Sequence, residues 1–503
     1  MALHDQHVLI LGLGASGLAM ARWCAREGAR VTVADTREAP PQLVVLREAV
    51  PEARFIAGPL DAALLAGDTA AVFRSPGLSP AQVAPVQEAA RARGLRIGGE
   101  LDLFMEALAT LKAEQGYAPA LIAITGTNGK TTVTSLTGQL VERCGRTVAV
   151  AGNIGPSLLD TLAAKRDAQA LPQTWVLELS SFQLEGVEGF EPSAAAVLNI
   201  SQDHLDWHGD LAAYAAAKAR IFGQGAMMVL NREDPVVMAM RPAPVRLKGG
   251  RMEQRPCITF GGDLPQRPGD FGIENVNGMA WLVRALESDE THKRRKDEAE
   301  ELHLQRLMPA DALRIRGRHN AVNALSALAL ATAWGCPLAP MLYGLREYRG
   351  EPHRVEPVGI VEGVEYFDDS KGTNVGATVA ALQGLGAERR LVVILGGDGK
   401  GQDFSPLAEP LSRHARAAVL IGRDAPRLRE ALGACGVELA SADTLEDAVR
   451  IATQRAQPGD AVLMSPACAS LDMFDNYGHR ARVFRAAVQQ VADDAGVVLE
   501  VQP

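Results

Sequence analysis

No CxxC pair occurs in this sequence. Its six cysteines, Cys24, Cys144, Cys257, Cys336, Cys435 and Cys468, are scattered through 503 residues. That scatter argues against a disulfide framework and a zinc site, and it fits a reducing cytoplasm. An excess of positive charge is lacking too: 51 Lys and Arg against 60 Asp and Glu leave a net charge of −9. A polyphosphate backbone is repelled, and nucleic acid is not an expected partner. The opening stretch MALHDQHVLILGLG has an apolar centre without a basic segment before it, so no secretory leader is read there. Residues 321–345 carry no charge over a bilayer-spanning length, yet they are Ala-rich and broken by Asn323, Gly335, Pro337 and Pro340. A buried core helix followed by a short second helix is expected, and no membrane partner.

Hydrophobic residues at 47% and charged residues at 22% match an ordinary globular chain. The length suggests roughly three domains, which excludes a peptide hormone, a disordered regulator and a coiled coil. Apolar runs alternate with helical patterns in three series, the mark of parallel sheets with crossover helices. The first holds HVLILGLG, VTVAD, RFIAG, AAVFRSPG and LRIGG. The second runs from ALIAITGTNGKTT through TVAVAGNIG, TWVLELSS, AAAVLNIS and AMMVLN, with helix-rich sequence expected between and after. The third holds VEYFDDSKGTN, LVVILGGDGKG, AAVLIGRD and AVLMSPACAS. The fold class is therefore α/β in three tandem domains, over residues 1–113, 114–350 and 351–503. Residues 287–301, ESDETHKRRKDEAEE, are charged throughout and read as a solvated helix or loop insertion.

Gly12, Gly14 and Gly17 follow a strand as GxGxxG, and Asp35 ends the next strand at the spacing of a ribose-binding acid. By residue type alone the turn suits any diphosphate, a dinucleotide or a nucleoside diphosphate alike. Gly126-Thr127-Asn128-Gly129-Lys130-Thr131-Thr132 lies between an apolar strand and a helical pattern, where a phosphate loop belongs. The general GxxxxGK[ST] spacing would put glycine where Ile124 stands, so the loop is a shorter variant. Lys130 would meet the β and γ phosphates, and the Thr131 hydroxyl would meet Mg²⁺. Glu178 is the first carboxylate candidate for that ion, and Asp203, His204, Asp206 and His208 cluster after another strand. Two acid–lysine pairs, Asp369 with Lys371 and Asp398 with Lys400, should lie on the carboxyl edge of the third sheet and suggest an anionic ligand.

In one order the chain carries TGTNGKTT, AGNIG, LELSSFQLE, NISQDHLDWH, GRHNAVNALSALA, PHRVE, DDSKGTNVGAT, GGDGKGQDF and SPACASLDMF. Together these motifs resemble the Mur ligases over nearly the whole length. The 287–301 insertion departs from that pattern, as does Gly372, where alanine is frequent. The resemblance implies a first Rossmann-like domain that binds a UDP-sugar without redox chemistry, a central phosphate-loop ATPase-like domain, and a Rossmann-like C-terminal domain that takes the amino acid. It implies Gly14, Ala15 and Ser16 at the diphosphate, Asp35, Thr36 and Arg37 toward the uridine, Gly77 nearby, and Asn153 with His204 nearer the muramoyl part. For ATP it implies the loop 126–132 with Asn320, Asn323, Arg354, Asp369 and Lys371. Two Mg²⁺ ions are implied, on Thr131 and Glu178 and on His204 and Lys218, the lysine being carbamylated. D-Glutamate is implied against Thr373, Lys400, Ser470, Leu471 and Tyr477.

The activity so implied is ATP-dependent ligation of D-glutamate to UDP-N-acetylmuramoyl-L-alanine through an acyl phosphate, by a cytoplasmic monomer serving peptidoglycan precursor synthesis. Lys130, Glu178, His204 and Lys218 are the implied catalytic set, and domain closure about 344–352 is expected to exclude water. The alternatives are an amide ligase of the same superfamily with another acceptor, such as a folylpolyglutamate synthase, an NAD-dependent oxidoreductase, and a nucleotide switch. The oxidoreductase leaves TGTNGKTT unexplained, and no NKxD sequence supports the switch.

Overall fold

The structure, a computed structural model, describes residues 3–246, 252–287, 302–387 and 389–499. The charged segment read as an insertion lies outside them except for Glu287, which ends a strand. The chain divides into two compact units. One comprises Met1–Ile200, His204–Phe260 and Ser326–Gly344; the other comprises Ser201–Asp203, Gly261–Leu325 and Leu345–Pro503.

The first unit holds a five-stranded parallel sheet and the parallel strands of a larger mixed sheet. The first has the order Arg54–Ala57, Arg30–Asp35, His7–Leu11, Thr69–Arg74, Arg96–Gly98. Its central strand is apolar at every position after His7 because both faces are covered: Val8 and Ile10 enter one core, Leu9 and Leu11 the other. Strand order reverses beside this strand, so its carboxyl end faces a crevice, and the loop Gly12–Gly14 sits there. In the second sheet Ala120–Thr125 lies between Ala194–Val197 and Thr174–Glu178, with Val148–Gly152 beyond. The ends of these neighbouring strands bring the phosphate loop, Glu178 and the AGNIG loop to one edge.

The other unit contains a six-stranded sheet ordered Glu356–Val361, Val364–Asp368, Ala461–Met464, Leu391–Gly396, Ala415–Ile421, Glu438–Ser441. The first pair is antiparallel and the remaining pairs are parallel. The loops after Asp368, Met464 and Gly396 leave three adjacent strands on the same edge. This unit also corrects the reading of the region after Asn231 as helix-rich. Phe271–Val276, Met279–Glu287 and Leu302–Pro309 form an antiparallel meander. The turn Asn277-Gly278 has φ of 51° and 83°, as the tight hairpin turn between two strands requires.

The uncharged segment forms the expected helix pair, Arg318–Ala333 and Leu338–Glu347. Among the described residues no helix is long and apolar enough to cross a membrane.

Candidate active site

The nucleotide loop of the first sheet depends on two glycines for its shape. Gly12 adopts φ +87°, and a Cβ at Gly17 would overlap the Gly12 carbonyl oxygen, so the helix Ala15–Arg26 can approach the strand only with glycine there. Gly77 has open space beside it, a Cβ at Gly14 would meet only the Ser75 hydroxyl at 3.8 Å, and Ala15 is exposed, with Ser16 half-buried beside it. Asp35 braces the loop from the next strand. Its Oδ2 accepts from the Leu13 N–H at 2.7 Å and its Oδ1 from the Arg37 N–H at 2.9 Å, while the Arg37 guanidinium donates to both oxygens at 2.8 Å. Burial works against ionisation of Asp35, but the bonds from Arg37 and Leu13 outweigh it and hold the carboxyl at about 2. Thr36 and Arg37 themselves stand exposed at the strand end.

The phosphate loop closes on itself. Lys130 donates to the carbonyls of Gly126 at 2.9 Å and Thr127 at 2.8 Å. Gly126 at φ +152° and Gly129 at φ +83° supply the turn, while Ile124 stays in the strand core. Asn199, which the sequence reading did not single out, fixes the loop from the neighbouring strand end. Its side chain exchanges hydrogen bonds with the Asn128 backbone at 2.8 and 3.1 Å, and its carbonyl accepts from the Thr127 N–H at 2.9 Å. Thr131 and Thr132 are buried at the start of helix Lys130–Arg143.

Glu178 is 1% exposed and accepts from Asn153 Nδ2 at 2.7 Å through Oε1, while Oε2 is buried without a hydrogen-bond partner. A buried carboxylate oxygen left unpaired costs free energy unless something cationic meets it, so Glu178 together with Thr131 fits a hard divalent ion such as Mg²⁺. Lys218 is equally buried and donates to Thr125 Oγ1 at 3.2 Å and the Gly126 carbonyl at 2.9 Å, and its ammonium lies 4.6 Å from the centre of the Tyr214 ring. As an ammonium it cannot ligate a cation; conversion to a carbamate would give it anionic oxygens. His204 begins the short helix Leu205–His208 at φ +54°, its ring 4.7 Å from that of Phe182. His208 bonds the Ser181 hydroxyl at 2.9 Å. Burial first, then the charge of Lys218, push its imidazole down to about 4, so it stays neutral near neutral pH.

In the other unit, Asn320 bonds the Arg316 carbonyl at 2.8 Å and Asn323 bonds Asn320 at 3.2 Å. Asn320 and Arg354 line one cavity of about 160 Å³. Asp369 is buried, accepting from Ser465 Oγ at 2.7 Å, and burial lifts it to about 7 against the pull of that bond and of Arg354. A Cβ at position 372 would come within 2.5 Å of Asp369 Oδ2, so Gly372 leaves that carboxyl its place. Lys371 lies with its ammonium 5.4 Å from the Tyr477 ring centre. Thr373, Lys400, Ser470, Leu471 and Tyr477 all fall on the loops of the carboxyl edge or the helix start beside it. Ser470 is buried, Lys400, Leu471 and Tyr477 are exposed, and Thr373 is in between. Among the described residues His353, Glu356 and Asp368 are the three that could jointly reach a metal, but Arg485 pairs with Glu356 and approaches Asp368 at 3.8 Å. That cluster is a brace, closed by Arg485 and by the 2.7 Å bond between His353 Nδ1 and Asp368 Oδ2.

Family models match three stretches: the N-terminal domain of MurD-like Mur ligases over residues 6–99, the Mur ligase middle domain over 124–249, and the Mur ligase glutamate ligase domain over 353–468. The chain is 70% identical over 500 residues to the UDP-N-acetylmuramoylalanine–D-glutamate ligase of Albidiferax ferrireducens, covering 99% of each. It is 59% identical to the enzyme of that name from Burkholderia thailandensis, covering 98% of each. Among solved structures, the MurF ligase of Thermotoga maritima in complex with ADP superposes with a TM-score of 0.56 at 15% identity, covering 97% of this chain and 96% of the other, a likeness of fold. A full-length relative at 70% identity and three matched regions in the same order leave one conclusion: the chain belongs to the Mur ligase family.

Proposed function

We propose that this chain is the ATP-dependent ligase that adds D-glutamate to UDP-N-acetylmuramoyl-L-alanine in peptidoglycan precursor synthesis. The observation that carries the reading is the match at 70% identity, across 99% of both chains, to a relative bearing that name. An amide does not form from a carboxylate and an ammonium without activation. In this reading the γ-phosphoryl group of ATP passes to the alanyl carboxylate, giving an acyl phosphate and ADP. The free amine of D-glutamate attacks the acyl carbon, and the tetrahedral oxyanion collapses with loss of phosphate.

Within that scheme Lys130 leaves its loop carbonyls to meet the transferring phosphoryl oxygens. Asn128, Gly129 and Thr132 offer loop groups to the triphosphate, and Asn320, Asn323, Arg354, Asp369 and Lys371 serve the same nucleotide. The Gly14, Ala15 and Ser16 turn holds the diphosphate of the sugar substrate, with Asp35, Thr36, Arg37 and Gly77 around the uridine and Asn153 and His204 toward the muramoyl part. Thr373, Lys400, Ser470, Leu471 and Tyr477 receive D-glutamate. Bound Mg²⁺ would reduce the repulsion between the two reacting anions. Thr131 and Glu178 would hold one ion, and His204 with a carbamylated Lys218 a second.

Three regions divide the work: 1–113 takes the sugar nucleotide, 114–350 takes ATP, and 351–503 takes the amino acid. Movement about 344–352 excludes water from the acyl phosphate. A radius of gyration that stays constant in small-angle scattering when nucleotide and sugar substrate are both bound counts against it. The reading also includes a monomer in the cytoplasm, which sedimentation and cell fractionation check. The decisive assay supplies ATP, Mg²⁺ and the UDP-sugar, then offers single amino acids. Phosphate release should respond to D-glutamate and little else; ADP formed without a new amide when both partners are present overturns the assignment.

A further inference from the structure

Arg74 ends the strand Thr69–Arg74 opposite Leu11, the residue that leads into the Gly12–Gly14 turn, and the Ser75 N–H that follows donates to the Leu11 carbonyl at 2.8 Å. Its backbone is therefore tied to that turn. Its side chain reaches elsewhere. Nη2 donates to the Glu185 carbonyl at 3.3 Å, and Nη1 reaches that of Leu78 at 3.5 Å. Glu185 closes the short helix Ser181–Leu184, and the last carbonyls of a helix lack partners of their own, so the guanidinium supplies one there. The same guanidinium lies over the Trp207 indole, 5.5 Å from the ring centre.

Trp207 stands in the helix Leu205–His208, which His204 begins. Its Nε1 is buried without a hydrogen-bond partner, so packing on the ring sets the angle of the indole. Phe182 packs against that ring with centres 4.7 Å apart, and Phe182 in turn meets the His204 ring at 4.7 Å. Guanidinium, indole, phenyl and imidazole form one run of contacts from the end of the first sheet to His204. His204 needs such support, because a left-handed backbone at φ +54° costs a non-glycine residue free energy that its surroundings must offset. Burial pulls the Arg74 guanidinium below its ordinary value, with the charges of Glu185 and Asp102 opposing, but an arginine starts too high to lose its proton near neutral pH. A partly desolvated cation over an indole is the setting in which that attraction is strongest.

We propose that Arg74 is a positioning residue that couples the sugar-nucleotide turn to His204: its backbone is fixed to the turn, and its cation, through Trp207 and Phe182, fixes the His204 ring. This coupling rests on the reading of the Gly14–Ser16 turn as the diphosphate site and of His204 as facing the muramoyl part. A ligand that spans both places gains from having them held at one spacing, whereas a ligand that touches only the turn does not. UDP is the short ligand and the intact sugar nucleotide the long one.

Calorimetric titration of the full chain with UDP-N-acetylmuramoyl-L-alanine, with UDP and with ADP tests this in the wild type, Arg74→Met, Arg74→Lys, Trp207→Leu and the Arg74→Met/Trp207→Leu double variant. Met keeps the apolar stem of Arg74 without its charge, and Lys keeps a cation that can sit over the indole. Arg74→Met should bind the intact sugar nucleotide on the order of tenfold more weakly, the scale of a desolvated cation–π contact, with UDP and ADP within about twofold of wild type. Trp207→Leu should do the same, and the double variant should be no weaker than Trp207→Leu alone. Arg74→Lys should bind the sugar nucleotide within about threefold of wild type. In turnover, Arg74→Met should raise the KM for the UDP-sugar by the same factor as its binding, with the KM for ATP within about twofold. Sugar-nucleotide binding by Arg74→Met equal to wild type overturns the coupling, as do single losses that add in the double variant, or Arg74→Lys as weak as Arg74→Met. An equal loss of UDP binding places Arg74 on the turn alone, and a parallel loss of ADP binding marks a general packing defect; either overturns the coupling too. A wild-type chain that binds ADP but neither UDP nor the sugar nucleotide overturns the sugar-nucleotide reading itself.

Discussion

Two side chains carry charge arguments that can be read separately. Lys130 is the cation of the phosphate loop, folded back onto the carbonyls of Gly126 and Thr127. In the proposed scheme its replacement by Ala removes the group that offsets charge on the transferring phosphoryl oxygens, so turnover should fall on the order of 10²-fold or more while UDP-sugar binding stays nearly intact. Steady-state rates with a parallel UDP-sugar titration check this, and a normal rate refutes the loop assignment. Asp369 is the opposite case, a carboxyl that burial raises from 3.8 to about 7. A group whose folded pKa exceeds its unfolded value keeps its proton in the folded chain between the two. Stability is therefore full below about pH 4 and is lost as pH rises toward 7. Asp369→Asn cannot ionise, and its thermal midpoint should decline less than that of wild type between those pH values. Equal slopes would show that Asp369 does not titrate as its burial requires.

At the scale of the element, the strand–turn–helix units decide what binds where. Gly17→Ala sets a Cβ against the Gly12 carbonyl oxygen, so the helix Ala15–Arg26 must move off its strand. UDP binding should then drop by at least about tenfold, because the amides that face the diphosphate move with the helix. ADP binding at the other loop should hold, and calorimetry with each nucleotide separates the two. These units were legible in the sequence because glycine, lysine and acid sit at fixed offsets from apolar runs. Nearly every strand of the two Rossmann-like regions falls where an apolar run ends in glycine or a small polar residue. The meander of Phe271–Val276, Met279–Glu287 and Leu302–Pro309 was not legible, although FGIENVNGMAWLVRALE carries the Asn-Gly turn that marks a hairpin. Its alternation is blurred by Gly272, Ala280 and Ala285. Asn199 escaped for another reason. It works through contacts with a residue distant in sequence, Asn128, and spacing carries no trace of such contacts.

Across the whole chain, the proposed reading has three loop systems each answer to a different ligand. In that reading the chain order of the motifs is also the order of sugar nucleotide, triphosphate and amino acid. Sequence order does not, however, reveal that residues 261–325 belong with the C-terminal unit. A division of ligands among separate loops has a kinetic signature. Lys400 stands at φ +48° in the GGDGKG loop, exposed, with its N–H bonded to Asp398 Oδ1 at 2.9 Å. In the proposed reading its ammonium meets a carboxylate of the incoming amino acid, and removing it should then be felt by that ligand alone. Lys400→Ala is expected to raise the KM for D-glutamate on the order of tenfold or more, the scale of a lost charge-assisted bond, with KM for ATP and for the UDP-sugar within about twofold of wild type. If the acyl phosphate forms before the amine arrives, ADP made without D-glutamate should also stop near one per chain in both proteins, because the activated sugar cannot be discharged. A Lys400→Ala variant whose KM for ATP rises in step with that for D-glutamate would place the lysine on the nucleotide instead and dissolve the division of labour among the three loops.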